Sequence, residues 1–105
     1  MKKVLIDKFV VPEESKAAFL DGTHKVQGFL RTLPGFVEGF LSERKDGQSR
    51  YNFLTTAVWE NEQAFENAKK AVAIDFKNEA STPKKETRRQ LKIESVRSIY
   101  ERSPY

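Results

Sequence analysis

A strand pattern changes into a helical one within Thr56-Ala57-Val58-Trp59-Glu60-Asn61-Glu62-Gln63-Ala64-Phe65, and the fold follows from this junction. The residues up to Val58 are β-branched or small, which is typical of a strand. Asn61 is a residue type that caps helix N-termini, and Glu60-Asn61-Glu62 opens the helix. We therefore predict a strand over 49–58 and a helix from Glu60 to Phe76. The apolar side of this helix consists of Phe65, Ala68, Val72 and Phe76.

The same patterns predict the remaining elements on either side of this junction. They are strands over 3–11, 36–45 and 91–100, a helix from Pro12 to about Leu33, and a short helix from Pro83 to about Arg89. Pro34-Gly35 ends the first long helix, and Asp46-Gly47 predicts a tight hairpin between the second and third strands. The order β-α-β-β-α-α-β predicts an α+β, ferredoxin-like split βαβ fold: a four-stranded antiparallel sheet with the helices on one face. We expect residues 1–105 to form a single domain.

Composition excludes several classes of site. The chain of 105 residues contains no cysteine, which excludes a disulfide scaffold, a thiolate metal site and a cysteine nucleophile. His24 is the single histidine, so a site that needs two imidazoles is also excluded. The apolar run near the N-terminus is broken by Asp7 and Lys8, and no run approaches the length of a membrane span, so we expect a cytoplasmic protein.

The net charge of +4 has a local source. The basic residues concerned are Lys84, Lys85, Arg88, Arg89 and Lys92. This segment is interpreted either as a solvated helix face or as a contact for an anion or nucleic acid.

Apolar residues occupy both faces of the predicted strands. On the first strand, Leu5, Phe9 and Val11 alternate with Val4, Ile6 and Val10. On the second, Phe36 and Phe40 oppose Val37 and Leu41, and on the third, Tyr51, Phe53 and Ala57 oppose Leu54 and Val58. Because the helices cover only one face, we predict that a second copy of the chain covers the other in a homodimer. The alternative is that these apolar residues are individually exposed, as is common on protein surfaces.

Two pieces of the sequence carry a resemblance to a known family. They are Leu33-Pro34-Gly35-Phe36 followed by Gly39, and the junction 56–65. Together with the element order, they resemble the antibiotic-biosynthesis monooxygenase (ABM) domains over roughly residues 3–100. The resemblance implies a dimeric α+β barrel with a ligand pocket between one sheet face and the helices. It also implies oxygenases that act on electron-rich aromatic compounds with O₂ and without metal or flavin, so no cofactor is expected.

The resemblance makes Trp59, Thr55 and Phe65 candidate substrate-binding residues. Trp59 matches the tryptophan of the family, although a tryptophan at a strand–helix junction is also a common core residue. Thr55 stands where those oxygenases can carry asparagine, and Phe65 where a tyrosine can stand, so both positions lack that polar function. A haem-degrading branch carries a haem-ligating histidine on the second helix. The corresponding helix of this chain contains none, so haem degradation is not expected.

Asp7 and His24 are the candidate catalytic residues. A carboxylate in the middle of an apolar strand needs either a partner, for which Arg97 is available, or a wet cavity. His24 lies at the edge of the apolar side of the first helix, and its imidazole can act as a general base near neutral pH. We hypothesise that Asp7 orients His24 to take a proton from a phenol. The alternatives are a structural ion pair for Asp7 and a partly exposed, hydrogen-bonded His24.

The sequence therefore predicts a cofactor-independent monooxygenase that acts on a small aromatic or quinone-like substrate. The alternative is a non-catalytic, dimeric ligand-binding or stress-related barrel. RNA-recognition modules share the βαββαβ order, and Arg50-Tyr51-Asn52-Phe53 places two aromatic residues at alternate positions. However, the glycines of that motif are missing and the first strand offers Leu5 at the companion position, so binding to nucleic acid is not expected.

Overall fold

The computed structural model describes the backbone of residues 1–78 and 91–104, and the side chains of residues 1–74 and 91–104. Its elements are β1 (Lys3–Val10), a 3₁₀ turn (Glu13–Ser15), α1 (Lys16–Leu30), β2 (Phe36–Glu43), β3 (Phe53–Trp59), α2 (Glu62–Asn78) and β4 (Glu94–Glu101). The four predicted strands and two long helices are confirmed, with ends that differ by a few residues. The predicted short helix and the basic residues 84–89 lie outside the described residues. Among the described residues, no helix combines the length and the apolar character needed to cross a membrane.

The four strands pair antiparallel in the order β2-β3-β1-β4. This is the sheet of the ferredoxin-like split βαβ fold, so the predicted α+β class is confirmed. Because cross-strand partners share a face, the register assigns each strand residue to one of two faces. The face that we call the helix-covered face carries Phe9 and Trp59, which pack against residues of α1 and α2. We call the other the open face. Its strand residues are Val4, Ile6, Lys8, Val10, Glu38, Phe40, Ser42, Leu54, Thr56, Val58, Glu94, Val96, Ser98 and Tyr100.

Within the described residues, the core of the helix-covered face consists of two apolar clusters. The Phe9 cluster contains Phe9, Val11, Phe19 and Phe53, with Leu41 and Ile93 packed against it. The Trp59 cluster contains Trp59, Phe65 and Ala68, with Leu5, Leu30, Leu33, Phe36 and Ala64 packed against it. Since Phe9 pairs with Phe53 at one end of the β1–β3 ladder and Lys3 pairs with Trp59 at the other, the clusters lie at opposite ends of the sheet.

A β-bulge at the start of β2 corrects the predicted faces of that strand. The register shifts between Phe36 and Glu38, so one extra residue is inserted before the regular alternation resumes. Phe36 therefore packs on Trp59 on the helix-covered face, whereas Phe40 pairs with Thr56 on the open face. The prediction that Phe36 and Phe40 share a face was wrong, because strict alternation does not hold across a bulge.

The predicted tight hairpin at Asp46-Gly47 is also wrong. β2 ends at Glu43 and β3 begins at Phe53, so residues 44–52 form a loop, in which Gly47 adopts a φ of +95°. The Asn52 amide donates to the Phe9 carbonyl, and the Asn52 side chain both donates to and accepts from the backbone of Val11. The Arg44 amide also donates to the Asn52 carbonyl at 2.9 Å, so the pairing of the two strands ends there and residues 45–51 form the connection instead of a two-residue turn.

Candidate functional site

The two sequence pieces that carry the family resemblance meet in one packed joint. The Glu60 amide donates to the Gly35 carbonyl at 2.8 Å, and the Phe36 ring packs edge-on against Trp59 with centroids 5.4 Å apart. Gly35 has a φ of +80°, and a Cβ at that position would overlap the side chain of Ala64. The joint therefore requires glycine at position 35 and a small residue in the first turn of α2.

Trp59 is the most deeply buried large side chain of this joint, with 2% of its surface exposed. Phe65 is similarly buried, at 4%, and both belong to the Trp59 cluster. The core interpretation of Trp59 therefore matches its position. Leu5 packs against this cluster, and Ala57 is the neighbour of Leu5 across the ladder.

A polar strip crosses the helix-covered face between the two clusters. It consists of Thr55, Asp7 and Arg97, which are neighbours across β3, β1 and β4. Along each strand the next residues on the same face are mostly apolar: on β1, Leu5 lies toward one cluster and Phe9 belongs to the other. The fold therefore places a hydroxyl, a carboxylate and a guanidinium in one row within a largely apolar wall.

Arg97 binds Asp7 with two hydrogen bonds. Nε of Arg97 donates to Oδ1 at 2.9 Å and Nη2 donates to Oδ2 at 3.1 Å. Asp7 is buried, with 8% of its surface exposed, whereas about half of the Arg97 side chain, 51%, is exposed. The hydrogen bond to Asp7 raises the pKa of Arg97, and partial desolvation opposes this rise. The bidentate geometry compensates for the burial of the carboxylate. Among the described residues, no hydrogen bond or ion pair uses Nη1 of Arg97, so it is available to another anion.

His24 does not share this strip. It is exposed on α1, and within the described residues no hydrogen bond or ion pair joins it to Asp7. Phe19 is the residue of α1 buried against the sheet, and His24 follows five residues later, roughly 140° around the helix. The predicted carboxylate–imidazole pair is thus not formed, because helix rotation turns His24 outward and Arg97 occupies both oxygens of Asp7.

The aromatic pair considered for RNA binding is not available on a sheet surface. Tyr51 precedes β3, and Phe53 is buried in the Phe9 cluster with 3% of its surface exposed. Bases stack on exposed aromatic rings, so this arrangement does not form an RNA-recognition platform.

Two surface grooves lie away from the predicted site residues. One, of about 660 Å³, is lined by Met1, Lys3, Asn61, Glu62, Gln63, Glu66 and Glu101. The other, of about 230 Å³, is lined by Lys8, Ser42, Glu43, Arg44, Ser49, Tyr51, Asn52, Phe53 and Leu54. Within the part of the chain that the structure describes, no group of three His, Cys, Asp or Glu side chains could hold a metal ion.

The sheet order, the helix-covered face and the packed joint define a small ferredoxin-like domain with the fold of the antibiotic-biosynthesis monooxygenases. No protein-family model matches the sequence, and no curated protein matches it either. Solved structures do match in fold. A variant of SnoaB, a cofactor-independent oxygenase from Streptomyces nogalater, has a TM-score of 0.73 at 20% identity, over 99% of this chain and 95% of that one.

Two further structures support the same fold. A candidate monooxygenase from Shewanella loihica has a TM-score of 0.67 at 19% identity, covering 99% of this chain and 96% of that one. A candidate antibiotic-biosynthesis monooxygenase from Deinococcus radiodurans has a TM-score of 0.69 at 15% identity, covering 100% and 95%. The resemblance predicted from the sequence is confirmed at the level of the fold.

Proposed function

We propose that this chain is a cofactor-independent monooxygenase that acts on a small aromatic or quinone-like substrate. The polar strip is the observation that carries the proposal. It places a half-exposed guanidinium between two apolar clusters, so that an aromatic ring could pack on the apolar residues while its oxygen binds the guanidinium. The likeness in fold to SnoaB, itself a cofactor-independent oxygenase, supports the same reaction type.

The proposed reaction draws its electrons from the substrate. The substrate is an anthrone-like ring compound, which carries a ring CH₂ group and is the keto tautomer of a phenol. It loses a proton from that group, and the resulting phenolate reduces O₂. The CH₂ group becomes C=O, while the second oxygen atom leaves as water, so atoms and electrons balance without metal or flavin. Arg97 binds the anionic oxygen through its available N–H groups and thereby lowers the pKa of the bound phenol. Asp7 holds the guanidinium in place, and the Thr55 hydroxyl orients the ring substituents.

The proposal does not assign the proton abstraction to His24. That imidazole is exposed on α1, so a substrate held at Arg97 gives its proton to water rather than to a histidine. Trp59 and Phe65 contribute the apolar wall at one end of the strip, and the Phe9 cluster contributes the other.

We also propose that the working protein is a homodimer joined through the open face. Phe40, Val96 and Tyr100 lie on this face with 45%, 46% and 50% of their surface exposed, and they belong to three rows of the sheet. Packing the open faces of two copies together would bury more than about 2,000 Å² of accessible surface in total, which is the range of obligate interfaces.

Oxygen uptake with anthrones tests the proposed reaction. We expect equimolar consumption of O₂ by protein that contains no stoichiometric metal, flavin or haem. Arg97→Gln should lower the rate by roughly 100-fold, as the loss of one oxyanion donor does in other enzymes. Arg50→Gln is the matched control, since Arg50 pairs with Glu94 outside the strip at 2.6 Å. Equal rates for the two variants would contradict the assigned site.

A second function, non-catalytic binding of the same class of ligand, is favoured by the residues of the candidate site. Thr55 stands where the resemblance leads one to expect asparagine, Phe65 lacks the hydroxyl of a tyrosine, and His24 is exposed. Saturable quenching of Trp59 fluorescence by a hydroquinone, without oxygen uptake, would support this function over the monooxygenase.

A further inference from the structure

The open face carries few charged residues. Among its strand residues, which the structure describes in full, they are Lys8, Glu38 and Glu94. Lys8 lies on the inner strand β1, between Leu54 of β3 and Val96 of β4. An ammonium group in that position is solvated in one chain by itself but becomes buried when another sheet packs on the face.

The partners of these three residues differ. Glu94 binds Arg50 at 2.6 Å within the same chain. The side chains of Lys8 and Glu38 form no hydrogen bond or ion pair with another described residue. The two cannot reach each other within one chain, because Glu38 pairs with Val58 and Lys8 with Leu54, two strands and four residues away. That offset corresponds to roughly 16 Å between their backbone positions.

We propose that Lys8 of each chain pairs with Glu38 of the other in the homodimer, an inference that rests on the dimer proposed above. A twofold interface makes every such contact twice, so one complementary pair gives two ion pairs. The midpoint between Lys8 and Glu38 on the sheet is Thr56, which lies between Phe40 and Ile6 in the register. The twofold axis therefore passes near Thr56, and the apolar residues around it form the centre of the interface.

This pairing determines which of the possible sheet-on-sheet arrangements the dimer adopts. A buried ammonium without a carboxylate is strongly unfavourable, so any arrangement that leaves Lys8 opposite apolar residues is excluded. Glu94 is the competing carboxylate of the same face, but its bond to Arg50 would have to break first. Charge complementarity thus favours Glu38 as the partner.

Charge reversal with measurement of the dimer dissociation constant tests the pairing. Lys8→Glu and Glu38→Lys should each raise this constant by roughly 100-fold, since each places like charges together at two sites. The double variant Lys8→Glu/Glu38→Lys should recover most of the lost affinity. The matched control is Lys8→Glu/Glu94→Lys, which changes charge by the same amount on the same face and should remain weak.

Neutral substitutions cover the case in which a reversed charge prevents folding. Lys8→Met alone should weaken association, because it leaves Glu38 of the other chain unpaired, whereas Lys8→Met/Glu38→Met should associate at least as tightly as the original chain. Single variants with unchanged association, or rescue by Glu94→Lys, would overturn the pairing. A monomeric original chain would overturn the dimer as well, and the absence of oxygen uptake would leave this inference standing.

Discussion

Asp7 shows at the scale of one residue how a carboxylate is accommodated in a core-facing strand. It lies in the same row as Arg97, 90 positions along the chain, and both of its oxygens accept hydrogen bonds from that side chain. The pair offsets the cost of removing the carboxylate from water. Because half of the Arg97 side chain remains in solvent, this pair is structural and also accessible to a ligand.

We expect Arg97→Met to lower the free energy of unfolding by about 1–3 kcal/mol, because it leaves Asp7 buried without its partner. The free energy of unfolding of Asp7→Leu/Arg97→Met should be closer to that of the original chain than the sum of the two single effects predicts. Urea denaturation of the four proteins, followed by circular dichroism, measures the cycle. Strict additivity would show that the pair contributes no coupling.

Trp59 is the other residue whose environment can be tested directly. Trp59→Ala should lower the free energy of unfolding by about 3–5 kcal/mol, because the side chain is 2% exposed and packs against Phe36 and Phe65. Trp59→Phe should cost less, since an aromatic ring still fills part of the space. Thermal unfolding monitored by circular dichroism gives the comparison. A Trp59→Ala protein that melts like the original would place Trp59 outside the core.

At the level of secondary-structure elements, the strand–helix junction sets where α2 begins and what it packs against. The Ala64 amide donates to Oδ1 of Asn61 at 2.8 Å, which confirms Asn61 as the cap of α2. The same turn places Ala64 against Gly35, so the start of α2 and the end of the α1–β2 connection are built together. The sequence pattern already identified the cap at Asn61, because capping depends on neighbours along the chain.

Asn61→Ala should lower the free energy of unfolding by about 1 kcal/mol, through loss of the cap. Asn61→Asp should retain most of the stability, because a carboxylate can accept the same hydrogen bond. The control is Asn67→Ala, in the same helix, where alanine is the better helix former and the expected effect is small. If denaturant titrations gave the same decrease in the free energy of unfolding for Asn61→Ala and Asn67→Ala, the capping role would be contradicted.

Ion pairs between elements that are far apart along the chain contribute to the stability of the whole molecule. Lys16 of α1 binds Glu43 of β2 at 2.7 Å, and Lys3 of β1 binds Glu101 of β4 at 2.7 Å. Hydrogen bonds from these lysines lower the pKa of Glu43 and of Glu101 below their ordinary value of 4.5. A lowered pKa in the folded state means that the stabilisation is present above pH 4.5 and disappears as the pH falls through the lowered value.

We therefore expect Glu43→Gln/Glu101→Gln to melt at a lower temperature than the original chain at pH 7. The difference should shrink as the pH falls below 4.5 and vanish once both carboxylates are protonated in the original chain. Since both groups are solvent-exposed, the effect should also decrease with salt. Melting curves between pH 7 and acid pH measure it, and a difference that grows toward acid pH would contradict the assignment.

The amino-acid sequence alone predicts the order of elements and the cap at Asn61, because these depend on propensities and on contacts between near neighbours. It also identifies Arg97 as a possible partner of Asp7. The need for glycine at position 35 comes from the tertiary structure, since a Cβ there would overlap Ala64 of another element. The face that each residue of β2 occupies follows from the tertiary structure, since one inserted residue at the bulge places Phe36 and Phe40 on opposite faces. Only the structure decided that His24 turns outward and that Arg97 binds Asp7. Helix rotation and sheet register join residues that are far apart along the chain, and no local pattern records either of them.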